Sequence, residues 1–318
     1  MRGWPSQLVT SSLLLARPRP RLLPPPPRPP STMSQCRQIS QTPRDSLATP
    51  KALSKKHLFA EQRSMSANSG QDAGHVLPPG HPEITPQQRL AVEERQRQAF
   101  AFFSHTLQLY GVEELIFCFN GGKDCTVLLD LLMRFLRQEN ISSGDIPMLY
   151  IKSGDSFAEI DEFVGRCVRN YRVELVQYEG SLKEALTHMS ADMPRIRAVF
   201  VGSRNTDPYC QHLAPMQPTD NDWPPMMRLN PLLEWSYHDV WHYIHLNAVP
   251  YCSLYDRGYT SLGSRSNTIP NPHLRRPDAQ CACDSGSQPA CSCDPGGFRP
   301  AWELEDPALE RAGRLPRK

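Results

Sequence analysis

Four short apolar runs, three of them followed by residues at helical spacing, constrain this chain more than any other feature. LIFCF at 115–119 leads into CTVLLDLLMRFLRQ, PMLYIKS at 147–153 into FAEIDEFVGRCVRNY, and VELVQYE at 173–179 into SLKEALTHMS; RAVFVG at 197–202 ends the series. A continuous apolar run marks a strand covered on both faces. Strands alternating with helices predict an α/β fold, an open parallel sheet sandwiched by helices. Upstream, ITPQQRLAVEERQRQAFAFFSHTLQLYG predicts one helix of about 25 residues, with Thr85 as N-cap, Pro86 in its first turn and Gly111 at its end. WSYHDVWHYIHL predicts a last helix capped by Ser236. Residues 218–231 are too rich in Pro and Asp for regular structure and predict a loop over the site.

The flanks read differently. Of 32 prolines, eleven lie in the first fifty residues and eight follow residue 269. Residues 1–44 hold seven arginines and no carboxylate, the composition of a mitochondrial transit peptide. PRPRLLPPPPRPP cannot continue a helix, so a disordered basic tail is the other reading, and the destinations are the mitochondrial matrix or the cytoplasm. Residues 45–83 read as a disordered linker. The expected domain is 84–275, and 276–318 is expected to be a disordered tail. Its CACDSGSQPACSCD carries two C-x-C pairs, which could hold zinc, form a redox pair or belong to unstructured chain. The net charge, 35 − 33 = +2, gives no basic field for nucleic acid. No apolar run approaches the roughly 20 residues of a membrane span. Scattered single cysteines suggest reduced thiols and an intracellular compartment.

Three stretches carry the chemistry. NGGKDCT at 120–126 lies where an open parallel sheet binds ligands, between the end of a strand and the start of a helix. Gly121 and Gly122 permit a tight turn close to an anion. The helix presents free N–H groups, Lys123 adds a positive charge, and Thr126 a hydroxyl. Asp124 can cap the helix, orient Lys123 or meet a metal. The P-loop pattern GxxxxGK[ST] does not occur. GSRNTDPYC at 202–210 follows the fourth strand, with Gly202 for close approach, Arg204 as a forked phosphate donor and Asp207 held extended before Pro208. YDRGYTSLGSRSNT at 255–268 combines two arginines, two glycines and seven hydroxyl residues; Arg257 and Arg265 are its candidates for phosphate charge, and Gly258 and Gly263 would let the backbone bend to the ligand.

FNGGKDCTVLL resembles the pyrophosphate loop of the adenine-nucleotide alpha-hydrolase-like group. VGSRNTDPYC, RLNPLLEW, YHDVW, VPYC and LYDRGYTSLGSRSNT, in that order, resemble the FAD synthase family in its PAPS-reductase-like catalytic domain. The resemblance covers about residues 90–273. It implies an FMN adenylyltransferase with ATP and FMN as substrates, FAD and pyrophosphate as products, and Mg²⁺ entering with ATP. It places ATP at Phe119, Asn120, Gly121, Gly122, Lys123, Asp124, Thr126 and, around adenine, Tyr150, Ile151 and Lys152. Asn120, Lys123, Asp124 and Arg265 are implied as catalytic, and Asp124 as a Mg²⁺ ligand. Gly202, Ser203, Arg204, Asp207, Trp223 and Arg257 are assigned to FMN. Asp207 would accept from the imide N–H of the isoalloxazine ring; Trp223 either stacks on a ring or anchors its loop; Arg257 serves either phosphate. Onward transfer of FAD to apo-flavoproteins is implied as well. Animal members often carry an N-terminal molybdopterin-binding-like domain, which residues 1–83 are too short to encode. Two other classes share this sequence logic, a sulfonucleotide reductase and a non-catalytic nucleotide-binding subunit. The reductase normally carries a redox Cys in an ECG-like motif, and that string is absent.

Overall fold

The computed structural model describes residues 82–276 and 297–316. The expectations for residues 1–81 and for the four cysteines at 281–293 lie outside the described residues.

Helix α1 (Pro86–Leu109) begins at a capping box: the Thr85 side chain accepts from the Gln88 N–H and the Gln88 side chain accepts from the Thr85 N–H. Such a cap contributes about 1 kcal/mol. Only Val92, Ala99, Phe103 and Thr106 are buried, a narrow stripe down one face. Through it α1 packs on α2 (Lys123–Gln138) and α5 (Tyr237–Leu246). The remaining helices are α3 (Ala158–Tyr171) and α4 (Leu182–Asp192). Ser181 and Ser236 cap α4 and α5 with boxes of their own.

The strands are β1 (Leu115–Cys118), β2 (Met148–Lys152), β3 (Leu175–Glu179), β4 (Ala198–Phe200), β5 (Met216–Pro218) and β6 (Met227–Leu229). They form one sheet in the order β3-β2-β1-β4-β6-β5, parallel except for β5. Alternation along β1 divides the core. Leu115 and Phe117 face the large cluster with α1, α2, α3 and α5. Ile116 faces a smaller one with Leu149, Val199 and, from α4, Leu186 and Met189. The chain runs from β1 outward to β3 and then returns to the other side of β1 as β4. The strand order reverses there, so the carboxyl ends of β1 and β4 frame the ligand crevice.

Two expectations need correction. Residues 218–231 are not all loop, because Pro218 ends β5 and Met227–Leu229 form β6, with Met216 paired to Leu229. Pro is tolerated there because β5 is an edge strand. The Pro- and Asp-rich residues between them make the turn, closed by Thr219, whose N–H donates to the Met226 carbonyl (2.9 Å) and whose hydroxyl donates to that of Pro224 (2.7 Å).

The second correction concerns the tail expected at 276–318. Residues 297–316 are folded onto the domain. Ala301 and Leu304 are buried, the Tyr237 hydroxyl donates to the Ala301 carbonyl (2.6 Å), and the Trp302 ring meets Trp241 edge-on at 5.6 Å. Short antiparallel bridges join Thr268 to Arg314 and Arg275 to Phe298. High proline content masked a segment whose apolar residues, Trp302, Leu304 and Leu309, are spaced for docking rather than for a helix or strand.

Candidate active site

The loop after β1 is built by local bonds. Phe119 is buried, and its N–H extends the sheet to the Leu149 carbonyl (2.9 Å). The Asn120 side chain accepts from the Gly122 N–H (2.9 Å). Gly121 has φ +73°, and a Cβ there would lie 2.9 Å from Ile160 Cγ2, so both backbone and space demand glycine. Gly122 caps α2, whose first turn contains Asp124. The Lys123 N–H donates to the Tyr255 hydroxyl (2.8 Å). Thr126 is fully buried and its hydroxyl donates to the Gly122 carbonyl (2.8 Å). That hydroxyl therefore holds the turn closed instead of facing the crevice.

Beneath the loop lies a cluster of charge. Lys123 and Arg204 are each only 1% exposed. The Lys123 ammonium bonds Asp124 (3.1 Å) and pairs with Glu310, with its Nζ 5.1 Å from the centre of the Tyr237 ring. Arg204 meets Asp124 through Nε (2.9 Å), and Asp207 (3.2 Å) and Glu310 (2.7 Å) through Nη2. The Arg204 backbone N–H also donates to Asp207 (2.9 Å). Thus Lys123 points inward to carboxylates, not out into the loop. Three carboxylates face two cations, a net charge of −1 when all are ionised.

The titration of the cluster follows from this imbalance. Burial pushes Asp124 up, but the Lys123 and Arg204 charges outweigh it and hold its carboxyl below the ordinary range. Burial raises Asp207, and the neighbouring Asp124 and Glu310 charges add to the rise against the pull of Arg204. Burial disfavours the Arg204 charge, yet its three carboxylates raise its pKa. Arg204 Nη1 is buried with no hydrogen-bond partner among the described residues, an orphan donor suited to a bound acceptor.

The other predicted residues divide into two groups. Gly202 does not approach an open cleft: a Cβ would sit 3.0 Å from the Cys125 backbone nitrogen, so it lets the β4 loop pack on α2. The Tyr150 ring is buried and its hydroxyl donates to Asp161, so Tyr150 itself leaves only its backbone for a ligand. Ile151 packs in the smaller core cluster, as does Trp223, which favours the anchoring role for Trp223. Arg257 pairs with Glu159 of α3. Gly258 and Gly263 make room for residues 297–316, since Cβ atoms there would lie 2.6 Å from Phe298 and 2.1 Å from the Arg314 guanidinium. Asn120, Lys152 and Ser203 remain at least partly open to solvent. The Arg265 side chain is 72% exposed, while its backbone N–H is tied to the Asp155 carbonyl (2.8 Å). Sequence reasoning missed Glu310, Tyr255 and Tyr237. Tyr255 and Tyr237 open the strings YDRGYTSLGSRSNT and YHDVW, but their contacts with Lys123, like that of Glu310, arise only through tertiary packing.

Burial pushes the thiols of Cys118 and Cys125, the two nearest the loop, up to about 12. Burial thus disfavours the thiolate form that a redox cysteine needs.

A strand-turn-helix anion loop at the switch point of this sheet defines a nucleotide-binding domain of the PAPS-reductase type, and the family model described as a phosphoadenosine phosphosulfate reductase domain matches residues 114–192 and 180–270. The chain is 36% identical over 235 residues to a probable FAD synthase of Schizosaccharomyces pombe, covering 72% of this chain and 82% of that one. It is also 36% identical over 222 residues to a probable FAD synthase of Caenorhabditis elegans, of which it spans 40%. The chain belongs to the FAD synthase family. Among solved structures it is similar to the FMN adenylyltransferase of Candida glabrata in complex with FMN and the ATP analogue AMPCPP: TM-score 0.63, 27% identity, 74% of this chain and 94% of that one. Another structure of the Candida enzyme holds FAD and inorganic pyrophosphate.

Proposed function

We propose that this chain transfers AMP from ATP to the phosphate of FMN. A phosphate oxygen of FMN attacks the α-phosphorus in line; the new P–O bond forms as the bond to the β-phosphate bridge breaks, and pyrophosphate leaves. The nucleophile is already an anion, so no strong base is required. The barrier is the meeting of two polyanions, and positioning with electrostatic stabilisation lowers it.

The observation that carries this reading is the Asp124–Arg204 ion pair (2.9 Å), which joins the nucleotide loop to the loop assigned to FMN. Gly121 and Gly122 present backbone to the ATP phosphates, while Lys123 contributes charge from behind and Thr126 keeps the turn closed. Phe119, Tyr150, Ile151 and Lys152 frame adenine through the backbone at the ends of β1 and β2. Asn120 and the exposed Arg265 stabilise the α-phosphoryl oxygens. Arg204, through its unpartnered Nη1, and Asp207 read FMN, with Gly202 and Ser203 shaping that loop, Trp223 bracing it and Arg257 near the phosphates. Asp124 is already committed to Lys123 and Arg204, and among the described residues no three metal-ligating side chains converge. Mg²⁺ would enter with ATP and keep most of its waters, and Asp124 is the carboxylate of this chain that would hold it. When bound, Mg²⁺ neutralises phosphate charge.

Residues 1–44 would direct the chain to the mitochondrial matrix or leave it in the cytoplasm, and the destination of a reporter fused to them decides between the two. FAD would pass onward to apo-flavoproteins. The decisive assay supplies ATP, Mg²⁺ and FMN to the purified chain and measures FAD and pyrophosphate, which should appear in equal amounts. Sulfite released from an adenylyl sulfate, with no FAD formed, would falsify the reading in favour of a reductase.

A further inference from the structure

Glu310 reaches the site from residues 297–316, and its backbone is fixed there by buried polar groups. Its carbonyl accepts from the Thr260 hydroxyl (2.6 Å). Asn271, fully buried, donates to both Thr260 Oγ1 and the Leu309 carbonyl, each at 2.9 Å. On the other side, the Gly313 carbonyl accepts from the Ile269 N–H and the Leu315 N–H donates to the Asn267 carbonyl, again at 2.9 Å. A chain end lying loosely on the surface would not engage side chains with no exposure. The Glu310 carboxylate is thus held at one place.

At that place it bonds Lys123, the first residue of α2, and Arg204, in the loop after β4. Asp124 pairs with the same two cations, accepting a hydrogen bond from Lys123 and forming an ion pair with Arg204. Lys123, Asp124, Arg204 and Glu310 therefore form a closed ring of alternating charge, and the ring spans the two strands that frame the crevice. We infer that Glu310 is a positioning residue for adenylyl transfer: by closing this ring it sets the nucleotide loop at a fixed distance from the loop that reads FMN. The inference rests on the function proposed above and adds to it a required element from a segment outside the βα framework.

The ring has a distinctive consequence. Replacing Glu310 by Gln opens it and changes the cluster charge from −1 to 0. Anionic substrates then meet less repulsion, so their KM does not rise, while the misplaced loops slow the transfer. Misplacement of about 1 Å can cost on the order of 100-fold.

Steady-state kinetics of FAD formation by the full chain test this. E310Q should show kcat reduced about 10- to 100-fold with KM for ATP and FMN unchanged or lower. E310D, which keeps the charge on a shorter arm, should recover part of kcat. A kcat for E310Q within about twofold of wild type overturns the inference. So does equal impairment of both variants with raised KM, which is the mark of a merely structural pair. Should E310Q not fold, Thr260→Val frees the Glu310 carbonyl without altering a charge: reduced kcat at constant KM supports the inference, and wild-type kcat overturns it. FAD made equally by wild type and E310Q removes this inference alone, whereas a wild type that makes no FAD removes the proposed function with it.

Discussion

The loop at 119–126 and the segment at 297–316 meet at Lys123, yet they are held by opposite means. The loop is closed by neighbours in sequence: Asn120 on Gly122, and Thr126 on the Gly122 carbonyl. It demands glycine at 121, where φ is positive and the side chain of Ile160 lies close. The segment 297–316 contains only short turns, Ala301–Glu303 and Pro307–Leu309. Its bonds run to residues far away in sequence, namely Tyr237, Thr260, Ile269 and Asn271. A locally encoded loop supplies the anion-binding backbone. A tertiary strap supplies the charge that fixes it. One active site therefore contains parts that would form early from local contacts and parts that need the finished domain.

The largest expected effect tests whether the strap is required. A chain stopped at residue 296 should lose FAD formation by at least about 100-fold, since Lys123 and Arg204 lose a fixed partner and the loops their spacing. Wild-type turnover by that chain would break the comparison.

Asp207→Ala comes next. A carboxylate facing an imide N–H is worth roughly 1.5–3 kcal/mol, so FMN affinity should fall about 10- to 150-fold. ATP affinity should hold, and fluorescence titration of FMN beside a non-hydrolysable ATP analogue measures both. Normal FMN binding would reduce Asp207 to the start of a turn.

Two glycine substitutions sharpen the contrast between local and tertiary support. Gly121→Ala forces φ +73° on a side chain 2.9 Å from Ile160 and should cost about 1–3 kcal/mol in urea unfolding. Gly313→Ala puts a Cβ 2.3 Å from the Ile269 carbonyl oxygen and should displace the strap at a similar cost of about 1–3 kcal/mol. Gly121→Ala should raise KM for ATP, whereas Gly313→Ala should lower kcat. The same kinetic signature from both would erase the distinction.

A smaller effect concerns pH. The folded protein raises the Asp207 pKa, so it binds that proton more tightly than the unfolded chain. The resulting stability is full below the ordinary Asp value of about 3.9 and is lost as pH rises through the raised value. At pH 7 the ionised carboxylate is therefore a net cost, and Asp207→Asn should raise Tm even as it weakens FMN binding. A lower Tm at pH 7 would show that the Arg204 bonds outweigh the repulsion. The smallest effect is none at all: removing residues 1–81 should leave kcat within about twofold of wild type, since none of the positioning contacts above comes from them.

Most of the framework was legible because it rests on period. The apolar runs at 115–119 and 147–153 became β1 and β2, and Thr85, Ser181 and Ser236 cap their helices through side-chain bonds that local sequence dictates. β5 and β6 escaped because MQP and MRL form no apolar run like the one that marks the equally short β4, and Pro218 argued against a strand. In the site, the positions of Asn120, Gly121 and Gly122 followed from the strand-turn-helix order. The inward turn of Lys123 did not, because its partner lies 187 residues away. Gly258 and Gly263 looked ready to approach a ligand, but the atoms they admit belong to Phe298 and Arg314. A glycine announces close approach without naming what approaches.

The bridge between Arg275 and Phe298, continued by the Arg276 N–H on the Gly297 carbonyl (3.0 Å), clamps residues 275–276 against residues 297–298. With those ends clamped, a flexible linker inserted between them should add only the slow logarithmic cost of loop closure, about 0.6 kcal/mol for each doubling of loop length. The clamp thereby fixes the strap beside the site independently of the length of chain joining its two ends, and a flexible linker inserted there should leave FAD formation intact.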